Sequence, residues 1–542
     1  MIKVEEKQDK NRKKNEGEDK VCITKPVCPK YNTIIDQCEI GPLTPEQRRI
    51  EAFEKRIQSA LFQKNLILEG QRCNDDEILY ANKIGNYTKA LPHNLLGEVN
   101  LEAYNIWIST LITGNPEKFE LIPLGGTRKF VDPQAAYAYE MVGPDSHHLT
   151  IAPAPSFSSA IEASEMAEDY WMALTRDVPF VDYDTSPETK AAAEDLSKFS
   201  VFDGPKCKCK VTTETLFRSN IPDTLEGPYV SQFLLKDIPF GAKTITQKYI
   251  VPVEKIDYMT SYNEWLNIQN GQAPSSILKL DPVPRYISNG RDLGQYVHKD
   301  NSIQAALTAC SILLEFGQEA LSLSNPYLFS KTQEGFATFG TAHVLDFMTR
   351  VSRMALEAAW FQKFLVHRRL RPEEFGGCVQ NLKTGDAKHP INPELLDSKV
   401  LEIVFKKYGT YLLPMAYTEG CPTHPAYPAG HATHIGAGVT ILKAFFNEDY
   451  IIPNPVVASA DGLNLEPYLE GDLKVGGELN KLAANIALGR DFAGVHWRSD
   501  CLEGMKLGEA VAIGLLQDYR NTYNEEFHGF SFTKFDGTKV II

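Results

Sequence analysis

From residue 301 onward the chain carries five segments in which apolar residues recur at helical spacing: 302–319, 341–370, 431–446, 477–489 and 497–523. The first is apolar on more than one face, and a helix of that kind has to be surrounded by others. Segments so dense in helical pattern leave a bundle of packed helices as the architecture, with their apolar stripes turned to a shared core. The chain has 542 residues, 43% of them hydrophobic, which is ample material for such a core.

Upstream the pattern is looser. Residues 1–40 mix a charge run with Pro and Cys and read as a solvated tail. A helix is expected over 44–66, where Thr44 can cap and Gln47 can reach back across the first turn. Helices are also expected over 157–175 and 185–200, the second opening at Ser186, Pro187 and Glu188. Between 201 and 295 the periodicity gives way to short β-rich or irregular pieces such as 210–217 and 244–253, a wrap around the bundle without a sheet of its own. The expected organisation is a mainly α protein: a tail over 1–40, an N-terminal helical region with its irregular wrap over 41–300, a C-terminal helical bundle over 301–525 and a tail over 526–542.

The 56 Lys and Arg against 70 Asp and Glu leave a net charge of −14. Such a chain has no global grip on nucleic acid or on anionic lipid, so any anion it binds must sit in a locally basic pocket. No apolar run reaches the roughly 18 residues of a membrane helix, and the charged first twenty residues are no secretory signal, so a cytoplasmic location is expected. The ten cysteines are too sparse for a disulfide scaffold. Neither Cys22 with Cys28 nor Cys207 with Cys209 has the spacing and second pair of a zinc site.

Three segments of the C-terminal half gather cations and histidines. In the first, Lys363 and Arg371 flank His367, Arg368 and Arg369. Eight residues of unbroken helix would set Lys363 and Arg371 about 80° apart and ~12 Å along the axis, a gap that two long side chains can close around one anion. Pro372 disfavours α geometry at Arg371 and lets it turn back. The second runs from His424 through Pro425, Ala426, Tyr427, Pro428, Ala429 and Gly430 to His431, where an apolar helix begins. Gly430 allows close backbone approach, the helix start offers free N–H groups to an anion, and His431 stands ready to give or take a proton. In the third, Arg490 closes one helix, Gly494 breaks it and His496 opens the next, with Asp500 four residues on to orient the His496 ring and raise its basicity. Singly, the first and third segments read better as structural helix ends, and the second reads equally well as a cap or turn.

Together, Lys-x7-Arg-Pro, Pro-x-Gly-His and Gly-Arg-x5-His-x3-Asp, in this order, resemble the vanadium-dependent haloperoxidases, which share their pocket with type 2 phosphatidic acid phosphatases and bacterial acid phosphatases. The Lys363 to Arg371 spacing and the additional His424 are most similar to the bromoperoxidases of red algae and cyanobacteria. The likeness extends through 91–93, 122–126 and 227–232 and covers roughly residues 85 to 525. It implies a vanadate cofactor bound axially by His496, with Lys363, Arg371 and Arg490 neutralising its oxygens and the Gly430 N–H donating to it. It further implies that His431 handles protons and that His424 tunes it. The implied reaction is oxidation of iodide or bromide by hydrogen peroxide to hypohalous acid, which halogenates small organic substrates. A homo-oligomer is implied as well. Calcium occurs in some relatives, but no dense carboxylate cluster in this sequence supports it.

Two positions depart from the family pattern. Ala429 stands where the family usually has Ser, so a hydroxyl donor is missing, and Gln362, just before Lys363, falls at a variable position associated with halide choice. The same cations would hold phosphate, so a phosphatase with His496 as nucleophile is a rival reading. A non-catalytic helical assembly protein with a degenerate pocket is another.

Overall fold

The computed structural model describes residues 41–542, so the expected tail over 1–40 lies outside the described residues. The described residues fall into two units, 41–58 and 59–542. The helix Pro45–Lys64 starts as the sequence suggests: Thr44 N donates to Gln47 Oε1 at 2.8 Å and Gln47 N to Thr44 Oγ1 at 3.2 Å.

The second unit is mainly helical. Its frame is made of Thr341–Phe361, Gly430–Phe445, Val475–Phe492 and Arg498–Tyr519. Gly430–Phe445 is central and packs against the other three, most extensively against Arg498–Tyr519. That crossing is close because it is built on glycine. A Cβ at Gly508 would fall 2.0 Å from the Thr433 carbonyl oxygen, and one at Gly436 would fall 2.5 Å from that of Met505. Helices from the N-terminal half close over this frame. Ala160–Thr175 is capped by Ser159, and Pro187–Leu196 by Ser186, whose hydroxyl accepts from Glu188 N at 3.2 Å. Buried apolar side chains from Phe157 to Ile542 form one continuous cluster, so both halves of the chain share a core. No helix among the described residues is long and apolar enough to cross a membrane.

The structure corrects the sequence reading in four places. The helical pattern over 341–370 is not one helix: after Phe361 the chain widens into a π-helical segment, Gln362–His367, and Arg368 reverses it at φ 45°. In 201–295 only Ile238–Phe240 and Lys243–Ile245 pair as strands, and 210–217 is a series of turns. The same stretch carries two helices, Tyr262–Gln269 and Gly290–Lys299. Gly290 and Gly294 hid the second, although Asn289 Oδ1 caps it by accepting from Asp292 N at 2.9 Å. Finally, the C-terminal segment is no loose tail. Ser531–Thr533 pairs antiparallel with Lys539–Ile541, and Phe530, Phe532 and Phe535 are buried in the core.

Candidate active site

The three basic segments converge on one cavity of about 470 Å³, lined among others by His424, Gly430, His431, His434, Arg490 and His496. Lys363 and Arg371 lie immediately behind this lining and are wholly buried. They do not reach each other along a helix, as the sequence suggested. Lys363 sits in the π-helical segment, and Arg371 is extended (φ −91°, ψ 156°) as the residue before the helix Pro372–Thr384. The residue preceding a proline is driven to that geometry by the ring, and Glu374 Oε2 fixes it by accepting from Arg371 N at 2.9 Å.

From there the Arg371 guanidinium donates to the carbonyls of Val495 (2.6 Å) and His424 (2.9 Å). It also lies 2.8 Å from His496 Nε2 and 3.0 Å from His424 Nδ1. A guanidinium can only donate, so both ring nitrogens accept and both imidazoles are neutral at that edge. Lys363 Nζ donates to the carbonyls of Pro425 (2.8 Å) and Ala426 (2.7 Å). Arg490 Nη1 donates to Val297 O at 2.7 Å, while its Nε is buried without a partner.

His496 was expected to open a helix, but it stands just before one, since Arg498–Tyr519 starts two residues later. Asp500 reaches it from the first turn of that helix. Its Oδ2 lies 2.8 Å from His496 Nδ1 and accepts from Trp497 N at 3.2 Å. The carboxylate therefore holds the proton on Nδ1 and leaves the Nε2 lone pair facing the cations. Asp500 was expected to raise the basicity of the ring, but the net shift is downward. Burial, and then the charges of Arg371, Lys363 and Arg490, hold the His496 ring well below the usual histidine range. Burial, and then Arg371, likewise pull Lys363 down.

The helix Gly430–Phe445 starts at the cavity, with its first N–H groups outside the helical ladder. A Cβ on Gly430 would come within 3.2 Å of the Trp360 ring, so glycine keeps this wall open. Ala429 is the residue before the helix and offers it no side-chain cap. His431 Nε2 lies 3.0 Å from Asp300 Oδ1, and burial lowers the His431 pKa despite that carboxylate. Gln362 does not line the cavity. Its amide donates to Gln71 Oε1 (3.1 Å) and Leu149 O (2.9 Å), so this side chain is turned elsewhere.

Two contributors escaped the sequence reading. Asp300 follows a helix that the pattern did not show. Arg369 lay in plain view within the basic run, yet it serves the scaffold. Its guanidinium pairs with Glu162, with Glu165 at 3.0 Å and with Asp500 Oδ1 at 2.7 Å, and so braces the carboxylate that holds His496. Within the basic run, only the Pro372 that follows Arg371 sets it apart from Arg369.

The vanadium-dependent bromoperoxidase of Ascophyllum nodosum is 34% identical to this chain over 530 residues, covering 92% of the chain and 93% of the relative. The chain belongs to the vanadium-dependent haloperoxidase family. The bromoperoxidase of Corallina pilulifera is 31% identical, over 92% of this haloperoxidase and 99% of the relative. The family model described as the VCPO second helical-bundle domain matches residues 396–525. The homohexameric structure of the second vanadate-dependent bromoperoxidase from Ascophyllum nodosum superposes on the haloperoxidase with a TM-score of 0.89 at 31% identity. It covers 95% of this chain and 93% of that one. These likenesses favour the haloperoxidase over the phosphatase and assembly-protein readings.

Proposed function

We propose that this haloperoxidase holds vanadate at His496 and oxidises bromide and iodide with hydrogen peroxide to hypohalous acid, which then halogenates small organic substrates. One observation carries the proposal. Among the described residues, the buried Arg176, Arg291, Arg369 and Arg498 each pair with carboxylates, whereas Arg371, Arg490 and Lys363 pair with none. Uncompensated cations gathered in a buried pocket are costly unless an anion joins them. The orphaned Arg490 Nε and the start of the Gly430–Phe445 helix add donors suited to tetrahedral oxygens.

In this reading His496 Nε2 provides the ligand lone pair, and Asp500 keeps its proton on Nδ1. Lys363, Arg371 and Arg490 neutralise the oxygens, and Gly430 N donates to one of them. With its Nε2 held against Asp300, His431 has Nδ1 left to accept or return a proton, while His424 accepts from Arg371 and keeps that guanidinium in place. Vanadate, when bound, supplies a Lewis acid that polarises hydrogen peroxide toward attack by halide. We also propose a homo-oligomer, as for the homohexameric relative; a sedimentation mass equal to one chain would contradict it.

The deciding experiment is a steady-state assay of vanadate-loaded protein with peroxide and each halide, alongside its vanadium content. Bromide and iodide oxidation is expected at one vanadium per chain. Phosphate is expected to slow reconstitution, because it fits the same cations and cannot activate peroxide. Rapid phosphate-ester hydrolysis with no halide oxidation would favour the phosphatase.

Ala429 gives a second test. A Ser hydroxyl there would either donate to a vanadate oxygen, a charge-assisted bond worth ~1.5–3 kcal/mol, or cap the helix that starts at Gly430, worth ~0.5–2 kcal/mol. Ala429→Ser is expected to raise the bromide-to-iodide ratio of kcat/KM at saturating vanadate. A higher Tm with an unchanged ratio would mean that the hydroxyl only caps the helix.

A further inference from the structure

We infer that Asp300, His431 and His434 form a site for a zinc-like divalent cation in the wall of the same cavity, and that a cation bound there inhibits halide oxidation. Each of the three residues offers one ligand atom, and these atoms all lie within 4.8 Å of one another. His431 and His434 are three residues apart at the start of the Gly430–Phe445 helix and so share a face, with ring centroids 5.2 Å apart. Asp300 enters from the end of Gly290–Lys299, its Oδ1 3.0 Å from His431 Nε2.

A buried carboxylate oxygen here lacks the partner that burial ordinarily demands, and a neighbouring imidazole is left unengaged. Asp300 has a side chain only 3% exposed, yet its Oδ2 bonds to nothing. His434 is 4% exposed, and among the described residues its ring touches His431 without a hydrogen bond. All three residues line the cavity, which gives an ion its route in and leaves room for water on its open positions.

Two imidazole nitrogens and one carboxylate oxygen are the donor set of zinc and its borderline neighbours, in contrast to the all-oxygen shells of calcium or magnesium. Metal bonds of ~2.0–2.1 Å would bring the donor atoms to roughly 3.3 Å apart, a closure that side-chain rotation supplies. The nearby cations oppose a second positive charge, and a bound oxyanion offsets them, so the vanadate-loaded protein is the form that should bind the metal. A metal that takes a His431 nitrogen removes the group proposed to carry protons. The inhibition therefore rests on that proposed role, whereas the binding does not.

The test uses vanadate-loaded protein titrated with cobalt(II), read by its visible absorption, and with zinc, read by bromide oxidation. One cobalt per chain is expected, displaced by zinc, with inhibition reversed by a chelator at unchanged vanadium content. His434→Gln is expected to weaken both cobalt binding and zinc inhibition at least about tenfold, the inhibition read relative to the variant's own zinc-free rate. Asp300→Asn, read by cobalt binding alone, should weaken it similarly and serves if the first variant does not fold. No cobalt bound by the wild-type protein, or equal affinity in both variants, overturns the site. Cobalt binding without zinc inhibition overturns the inhibitory role. Protein that oxidises no halide at all would fail the proposed function, and the cobalt titration would still decide the site.

Discussion

His496→Ala protein is expected to retain no stoichiometric vanadium and to lose bromide oxidation at every vanadate concentration. The substitution removes the His496 Nε2 lone pair while leaving Lys363, Arg371 and Arg490 where they are. Any residual anion binding would be electrostatic and exchangeable. The fold should survive, because Asp500 keeps Arg369 at 2.7 Å and the Trp497 N–H at 3.2 Å. The variant also relieves a pocket in which burial and three cations already disfavour a charged ring. The loss of kcat should be at least the ~10²–10³-fold that follows deletion of a single preorganised donor. Elemental analysis of vanadium after gel filtration, run with the activity assay, checks both halves. Full activity restored by excess vanadate would show that the ligand lies elsewhere.

Arg369→Met is expected to destabilise the protein by about 3–5 kcal/mol, the usual consequence of stripping one partner from a buried ionic network. Arg369 is 1% exposed, stacks its guanidinium 4.8 Å over the Trp497 ring, and serves Glu162, Glu165 and Asp500 together. Burial pushes the Glu162 and Glu165 carboxyls up even with that arginine present, most strongly at Glu162. Without it they should rise further. A carboxyl whose folded pKa lies above its unfolded value contributes stability below the unfolded value and loses it as pH rises through the folded one. The deficit relative to the wild type should therefore grow from pH 5 to pH 8. Urea unfolding of both proteins at those two pH values measures it. An equal midpoint at pH 8 would mean that the carboxylates find another partner. Vanadate affinity should also fall, because Asp500 would no longer be held against His496.

Much of this protein is written in short-range pattern. Thr44 with Gln47, and Ser186 with Pro187, announce helix starts because a cap is completed within four residues. The central helices are visible because a buried helix must repeat its apolar residues every turn. The set Lys363, Arg371, Gly430, His431, Arg490 and His496 is singled out by the order of three motifs that resemble a known family, and the structure brings these residues to one cavity or directly behind its wall.

What the sequence alone could not decide is which partner meets which residue across long separations. Arg369 and Arg371 are two residues apart, yet Arg369 meets Glu162, Glu165 and Asp500 and becomes scaffold, while Arg371 meets only carbonyls and imidazoles and remains available to an anion. The helix Gly290–Lys299, which brings Asp300 to His431, exists despite two glycines because Phe492 occupies the space beside Gly290, where a Cβ would lie only 2.4 Å from its ring. The local pattern counts those glycines against a helix. Tertiary packing requires the first of them, Gly290, and the burial gained there outweighs the propensity of the segment itself.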